Sequence, residues 1–120
     1  MSYTKADIKT RVLEKLLVTG SGQSASDEDA EMIKPEEAAE TLYALRIVDL
    51  TSQVTTDALL PAYMDGFCDY LAGVHGSVFG QPLEWCETAR RLGEDKLRRV
   101  ADQTRPRVLL RTEIAGLQRW

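Results

Sequence analysis

The 120-residue chain has one histidine, two cysteines and four prolines, and these shortages exclude several chemistries. A lone His75 rules out HExxH and two-His, two-Cys metal sites built within one chain. Cys68 and Cys86 form no CxxC pair. Free thiols in an intracellular setting are the expectation, with a single bridge between the two as the alternative. No GxGxxG and no GxxxxGKS or GxxxxGKT run occurs, so no phosphate-cradling loop is signalled. The longest stretch without Asp, Glu, Lys or Arg runs from Tyr70 to Leu83, 14 residues. A membrane span needs roughly 18. Lys5, Asp7, Lys9, Arg11, Glu14 and Lys15 interrupt the start with charge and argue against a signal peptide.

What remains is the composition of one soluble domain, 43% hydrophobic and 28% charged. At this length roughly two thirds of the unfolded surface disappears on folding, enough for a core without metals or disulfides. The net charge of −4 is unevenly spread. Residues 1–60 carry 6 basic and 11 acidic groups, net −5, and residues 61–120 carry 9 and 8, net +1. Residues 90–120 hold 9 basic against 4 acidic groups, net +5. An acidic front and a basic tail suggest a partner at the tail end or head-to-tail self-association. For residues 87–102 a solvated helix face is the simpler reading, with Glu87–Arg91, Glu94–Arg98 and Asp95–Arg99 at i,i+4 spacing.

The periodicity is helical throughout and predicts an all-α fold, a small four-helix bundle with an extended C-terminal arm. Thr4 and Asp7 have capping spacing, and Ile8, Val12, Leu13, Leu16 and Leu17 follow on one face. Gly20 ends that helix and opens a Gly/Ser link. A second helix is expected from Pro35 to Val48, preceded by acids that suit a helix start. Leu50 to Thr56 reads as a β-branched connector. In the third helix Leu60, Tyr63, Phe67, Leu71, Val74 and Val78 recur at steps of three or four, ending near Gly80. In the fourth, from Pro82, the stripe is Trp85, Ala89, Leu92, Lys96 and Val100, with the Lys96 charge reaching water. Pro106 closes it, dividing a helical domain, 1–105, from an arm, 106–120.

Three features carry functional expectations. Gly66, Gly73 and Gly80 repeat every seven residues, with Gly76 between the last two. Each interior glycine costs about 0.8–1 kcal/mol relative to alanine. The stripe therefore implies close helix packing, within the bundle or with a neighbouring subunit. His75 beside it reads as structural rather than as a ligand. From Asp27 to Glu40 there are seven acids and one lysine, a segment that DNA phosphates would repel. Finally, the arm mixes Val108, Leu109, Leu110, Ile114, Leu117 and Trp120 with Arg105, Arg107, Arg111 and Arg119. Arg and Trp favour interface hot spots, and Arg can form bidentate pairs with carboxylates, so an outward-reaching arm and a segment folded back onto its own bundle are both open.

The series Thr4-Lys-Ala-Asp-Ile-Lys to Val18, the acidic segment Ser26 to Leu42, Ala58-Leu-Leu-Pro-Ala-Tyr to Ala72, and Leu83 to Leu97 together resemble a family. They are similar to the head-to-tail adaptor proteins of tailed bacteriophages, especially the head-completion or packaged-DNA-stabilisation proteins of short-tailed phages. The resemblance covers about residues 4–101. Where such proteins often carry an aromatic at the end of the second helix, this chain has Arg46-Ile47-Val48. The resemblance implies a structural, non-enzymatic virion protein of the phage neck, assembled in the host cytoplasm, without cofactor or metal. It implies a ring, usually dodecameric, beneath the portal protein, extending the DNA channel and helping to retain the genome. Tail or nozzle proteins would attach below, and packaged DNA would pass without sequence-specific contacts. The C-terminal segment would reach the portal through Arg107, Val108, Leu109, Leu110, Arg111, Ile114, Leu117, Arg119 and Trp120. Two other classes stay open: a bacterial helical interaction or regulatory domain, and a hydrolase using Asp65 and Asp69 at i,i+4. For the latter pair an exposed helix face is the plainer reading.

Overall fold

A computed structural model describes residues 2–16 and 27–103. The chain is mostly helical, and the described residues hold no strand beyond one isolated bridge between Tyr3 and Leu59. The helices are α1 (Lys5–Lys15), α2 (Asp27–Met32), α3 (Pro35–Ala44), α4 (Thr51–Thr55), α5 (Pro61–His75) and α6 (Leu83–Gln103). A 3₁₀ turn, Gly76–Phe79, follows α5. The arm and the Gly/Ser link lie outside the described residues.

Local chemistry accounts for where α1 starts. The Thr4 hydroxyl accepts from the Asp7 N–H at 3.2 Å, and Asp7 accepts from the Thr4 N–H at 3.0 Å. That reciprocal capping box satisfies two donors at the start of α1. Ile8, Val12, Leu13 and Leu16 then point inward. The Lys5 N–H donates to the Asp57 carboxylate at 2.8 Å, and Tyr3 and Leu59 exchange two backbone hydrogen bonds. The start of α1 is thereby tied to the turn between α4 and α5.

α5 is the centre of the molecule. From Tyr63 to Gly73 every residue except Asp65 is buried. α6 runs back along α5, while α1 packs on α5 separately and α3 lies against α1 and α4. The expected α5 stripe holds only in its middle. Tyr63, Phe67 and Leu71 enter the core, but Leu60, Val74 and Val78 are 49%, 43% and 60% exposed. The expected α6 stripe is turned by one residue. Cys86, Gly93 and Leu97 are its buried positions, Trp85, Ala89 and Val100 are half-buried, and Leu92 is 48% exposed. A periodicity reading weighs side chains, and the contact centres on a residue that has none.

Two boundaries also differ from expectation. α3 stops at Ala44 rather than Val48, because Arg46 adopts a left-handed conformation with φ 59°. The Ile47 N–H returns to the Leu42 carbonyl and the Arg46 N–H to the Tyr43 carbonyl, a Schellman stop. The Leu50–Thr56 connector is largely a helix, α4, with Thr51 held at its start by the Asp49 carboxylate. α4 ends the same way at Asp57, φ 54°, with the Ala58 N–H donating to the Gln53 carbonyl. The 3₁₀ turn ends at Gly80, φ 86°, with the Gln81 N–H donating to the Gly76 carbonyl. Only the last of these three reversals carries the glycine that usually announces it.

Arg46→Gly should therefore stabilise the fold by about 1 kcal/mol, since a left-handed L-residue costs about that much. Asp57→Gly should not, because it also removes the carboxylate that holds the Lys5 N–H. Urea midpoints of the two variants against the parent chain check this; equal gains would mean that the Asp57 bond contributes nothing.

Candidate functional site

The glycines fix the geometry of the α5–α6 contact. A Cβ at Gly73 would lie 2.5 Å from the Arg90 nitrogen and 2.6 Å from the Cys86 carbonyl oxygen. A Cβ at Gly93 would collide with the Tyr70 nitrogen and sit 2.7 Å from the Gly66 carbonyl oxygen. At these points backbone meets backbone. Gly76 faces the Cys86 sulfur and Trp85, while Gly66 faces Lys96 and Leu97 less tightly. Gly80 does not share this role. Nothing lies within 4 Å of its Cβ position, and it serves the turn through its positive φ. Gly93, the partner on α6, is the residue that the α5 stripe alone does not reveal.

That approach assembles a closed cluster of four charges from three helices. Lys15 of α1 reaches Asp69 at 2.6 Å and Asp65 at 3.1 Å. Lys96 of α6 reaches both aspartates at 2.6 Å. Each carboxylate oxygen of the pair therefore accepts from one lysine. The exposed-face reading fails for Asp69, which is buried at 8% exposure, and the Lys96 charge turns to the aspartates rather than to open water. Hydrogen bonds from Lys96 and Lys15 hold the Asp65 carboxyl below its ordinary value of 3.8. On Lys96 the bonds to Asp65 and Asp69 raise the ammonium above 10.5. On Lys15 burial pulls the other way, but the same two aspartates outweigh it and the net shift is upward. A general acid at neutral pH needs a raised carboxyl. The cluster depresses Asp65 and occupies both carboxylates, the chemistry of a clamp.

The remaining polar groups are likewise positioned structurally. His75 is half-buried, and its Nε2 accepts from the Lys34 N–H at 3.2 Å, tying the end of α5 to the start of α3. Burial lowers its pKa below 6.5, with Glu37 opposing and Lys34 assisting. Cys68 and Cys86 are both free and buried. The Cys68 sulfur faces the Ile8 carbonyl and Met64, and burial pushes its thiol up to about 12. Among the described residues no group of His, Cys, Asp and Glu could hold a metal ion, and no helix is long and apolar enough to cross a membrane. The expected i,i+4 pair of Asp95 with Arg99 is replaced by Asp95 with Arg98, at 3.8 Å.

Two open grooves remain on the surface. One, about 470 Å³, is lined by Lys5, Lys9 and Lys34 together with Glu31, Glu36 and Glu37, and the Lys5–Glu36 ion pair at 2.9 Å narrows its charge contrast. The other, about 450 Å³, is formed by the stop of α3: Tyr43, Ala44, Arg46, Ile47, Val48 and Asp49. Tyr43 is 60% exposed there, and neighbouring Leu45 is 55% exposed. The portal-docking residues expected from the sequence, Arg107 to Trp120, lie outside the described residues. Comparison with protein-family models, curated proteins and solved structures finds no match.

Gly93→Ala should destabilise the chain by about 3 kcal/mol, because the added methyl meets backbone that cannot rotate away. Gly66→Ala, which meets the Lys96 side chain, should cost less, and the order of thermal midpoints tests the contact. The charge cluster makes a separate prediction. Asp69→Asn should cost about 2 kcal/mol at pH 7, since two partly buried lysines would share one carboxylate. Stability from the depressed Asp65 is present above pH 3.8 and is lost as pH falls through its lower folded value. Stability from the raised lysines is present below 10.5 and is lost as pH climbs through their folded values. His75 adds an earlier acid loss that starts below 6.5. Urea unfolding across pH should show two acid steps in the parent chain and only the lower one in His75→Gln.

Proposed function

We propose that this chain is a structural, non-enzymatic adaptor of the phage neck, forming a ring under the portal. The observation that carries this reading is the placement of the resembling segments. Among the described residues, Thr4–Val18, the acidic stretch, Ala58–Ala72 and Leu83–Leu97 correspond to α1, to α2 with α3, to α5 and to α6. The four principal helices α1, α3, α5 and α6 form the adaptor body, and residues 106–120 are the segment that assembly onto the portal requires.

Charge supports the same division. The described residues carry 18 acidic and 11 basic side chains, net −7, while residues 104–120 carry four arginines and one glutamate, net +3. A body of that sign repels phosphate, which suits a channel wall that lets packaged DNA pass without gripping it. Extension of the DNA channel, retention of the genome and attachment of tail or nozzle proteins below complete the proposal, with a dodecamer as the ring. The other reading, a bacterial interaction domain acting as a monomer or dimer, draws on the same exposed groove at the end of α3 and requires no portal.

The test is co-sedimentation with purified portal rings. The full chain should co-sediment. A chain lacking residues 107–120 should keep its helical circular dichroism spectrum and stay in the supernatant. Failure of the full chain to bind portal would favour the interaction-domain reading.

A further inference from the structure

We propose that His75 is a pH-operated latch: its neutral ring holds the start of α3 on the end of α5, and a proton on that ring frees the start of α3 while α1, α5 and α6 stay clamped.

The hydrogen bond sets what the proton does. Nε2 of His75 accepts from the Lys34 N–H at 3.2 Å, so its lone pair is already engaged by a donor. A neutral imidazole has one donor nitrogen and one acceptor. The neutral ring therefore carries its hydrogen on Nδ1, and a second proton can enter only at Nε2. That proton turns the acceptor into a donor facing another donor, and the bond to Lys34 is lost in the same event. A side chain with an acceptor that does not titrate would hold the same N–H at either pH.

The charges around the ring do not cancel this. Among the described residues, Lys34 and Glu37, both at the start of α3, act on it, and no charged group of α1, α6 or the 3₁₀ turn does. Burial of the ring is the largest effect and opposes the imidazolium, Glu37 favours it, and Lys34 opposes it. The net direction is below 6.5, so the closed latch disfavours the proton. An opened ring in water takes that proton more readily, and opening grows more frequent as pH falls below 6.5.

What opens is confined to one flank. Ile33 and Pro35, the buried neighbours of Lys34, are the apolar side chains that opening uncovers. Farther along, α3 keeps its packing on α4 and α1 and the Lys5–Glu36 ion pair. The clamp does not follow. Asp65 titrates below 3.8, and Lys15 and Lys96 titrate above 10.5, so these three keep their charges while His75 gains one.

The experiment is nuclear magnetic resonance on the full chain between about pH 7.5 and pH 5. At the upper end the ring nitrogen shifts should report the Nδ1–H tautomer. Protection of the Lys34 amide against hydrogen exchange, corrected for the intrinsic rate, should fall at least about threefold as the ring titrates. Protection of the Phe67 and Leu71 amides in the middle of α5 should not change. His75→Gln keeps an acceptor and loses the titration, so its Lys34 protection should stay flat. An Nε2–H tautomer would overturn the inference. So would Lys34 protection that persists while the ring titrates, or a fall shared equally by Phe67 and Leu71. If His75→Gln does not fold, the tautomer and exchange readings of the parent chain decide alone. None of these readings involves portal binding, so the latch and the adaptor reading stand or fall separately.

Discussion

The backbone approach of α5 and α6 at Gly73 and Gly93 decides most of what surrounds it. Wherever two helices meet through backbone, the side chains flanking the contact are drawn together as well. Lys96, one turn beyond Gly93, is brought within reach of Asp65 and Asp69 on α5. The same spacing turns α6 so that Leu97 is buried and Leu92 faces out. A wider separation would leave Asp69 buried with one lysine fewer. The charge cluster therefore depends on a steric condition set by residues with no charge and no side chain.

That cluster in turn ties α1 and α6, which pack separately on α5, to the same two aspartates. Lys15 lies 54 residues from Asp69 and Lys96 lies 27 residues from it, so two partly buried cations from opposite sides meet on one carboxylate. α1, α5 and α6 form a clamped unit, while α3 is attached more lightly, through α1, α4 and the single bond from the Lys34 N–H to His75. The exposed groove at the end of α3 thus sits on the more loosely held flank.

Short-range chemistry was legible in the sequence. Thr4 and Asp7 mark the start of α1, and Pro35 and Pro82 mark the starts of α3 and α6, because each signal acts within one turn. The glycine repeat announced a close approach, yet its partner could not be read, since a single glycine on α6 leaves no periodic trace. Arg46 and Asp57 end helices without the usual residue for that conformation, so the sequence pattern overruns α3 by four residues and reads α4 as a connector. Asp65 and Asp69 looked alike at i,i+4. Only their distance from Lys15 and Lys96 in space, invisible in the chain order, makes one of them a buried anchor. The expected docking residues, Arg107 to Trp120, fall outside the described structure, and that expectation rests on composition and on the resemblance.

Cys68 turns the junction of α1 and α5 into a built-in reporter. Its sulfur is sealed between the Ile8 carbonyl and Met64, and its thiol holds its proton up to about pH 12. Thiolate is the reactive form, so the native molecule is inert to electrophiles at that position. Modification must wait for α1 to lift from α5, and its rate then counts those openings one molecule at a time. Nature has in this way placed a silent clock on the seam between two helices.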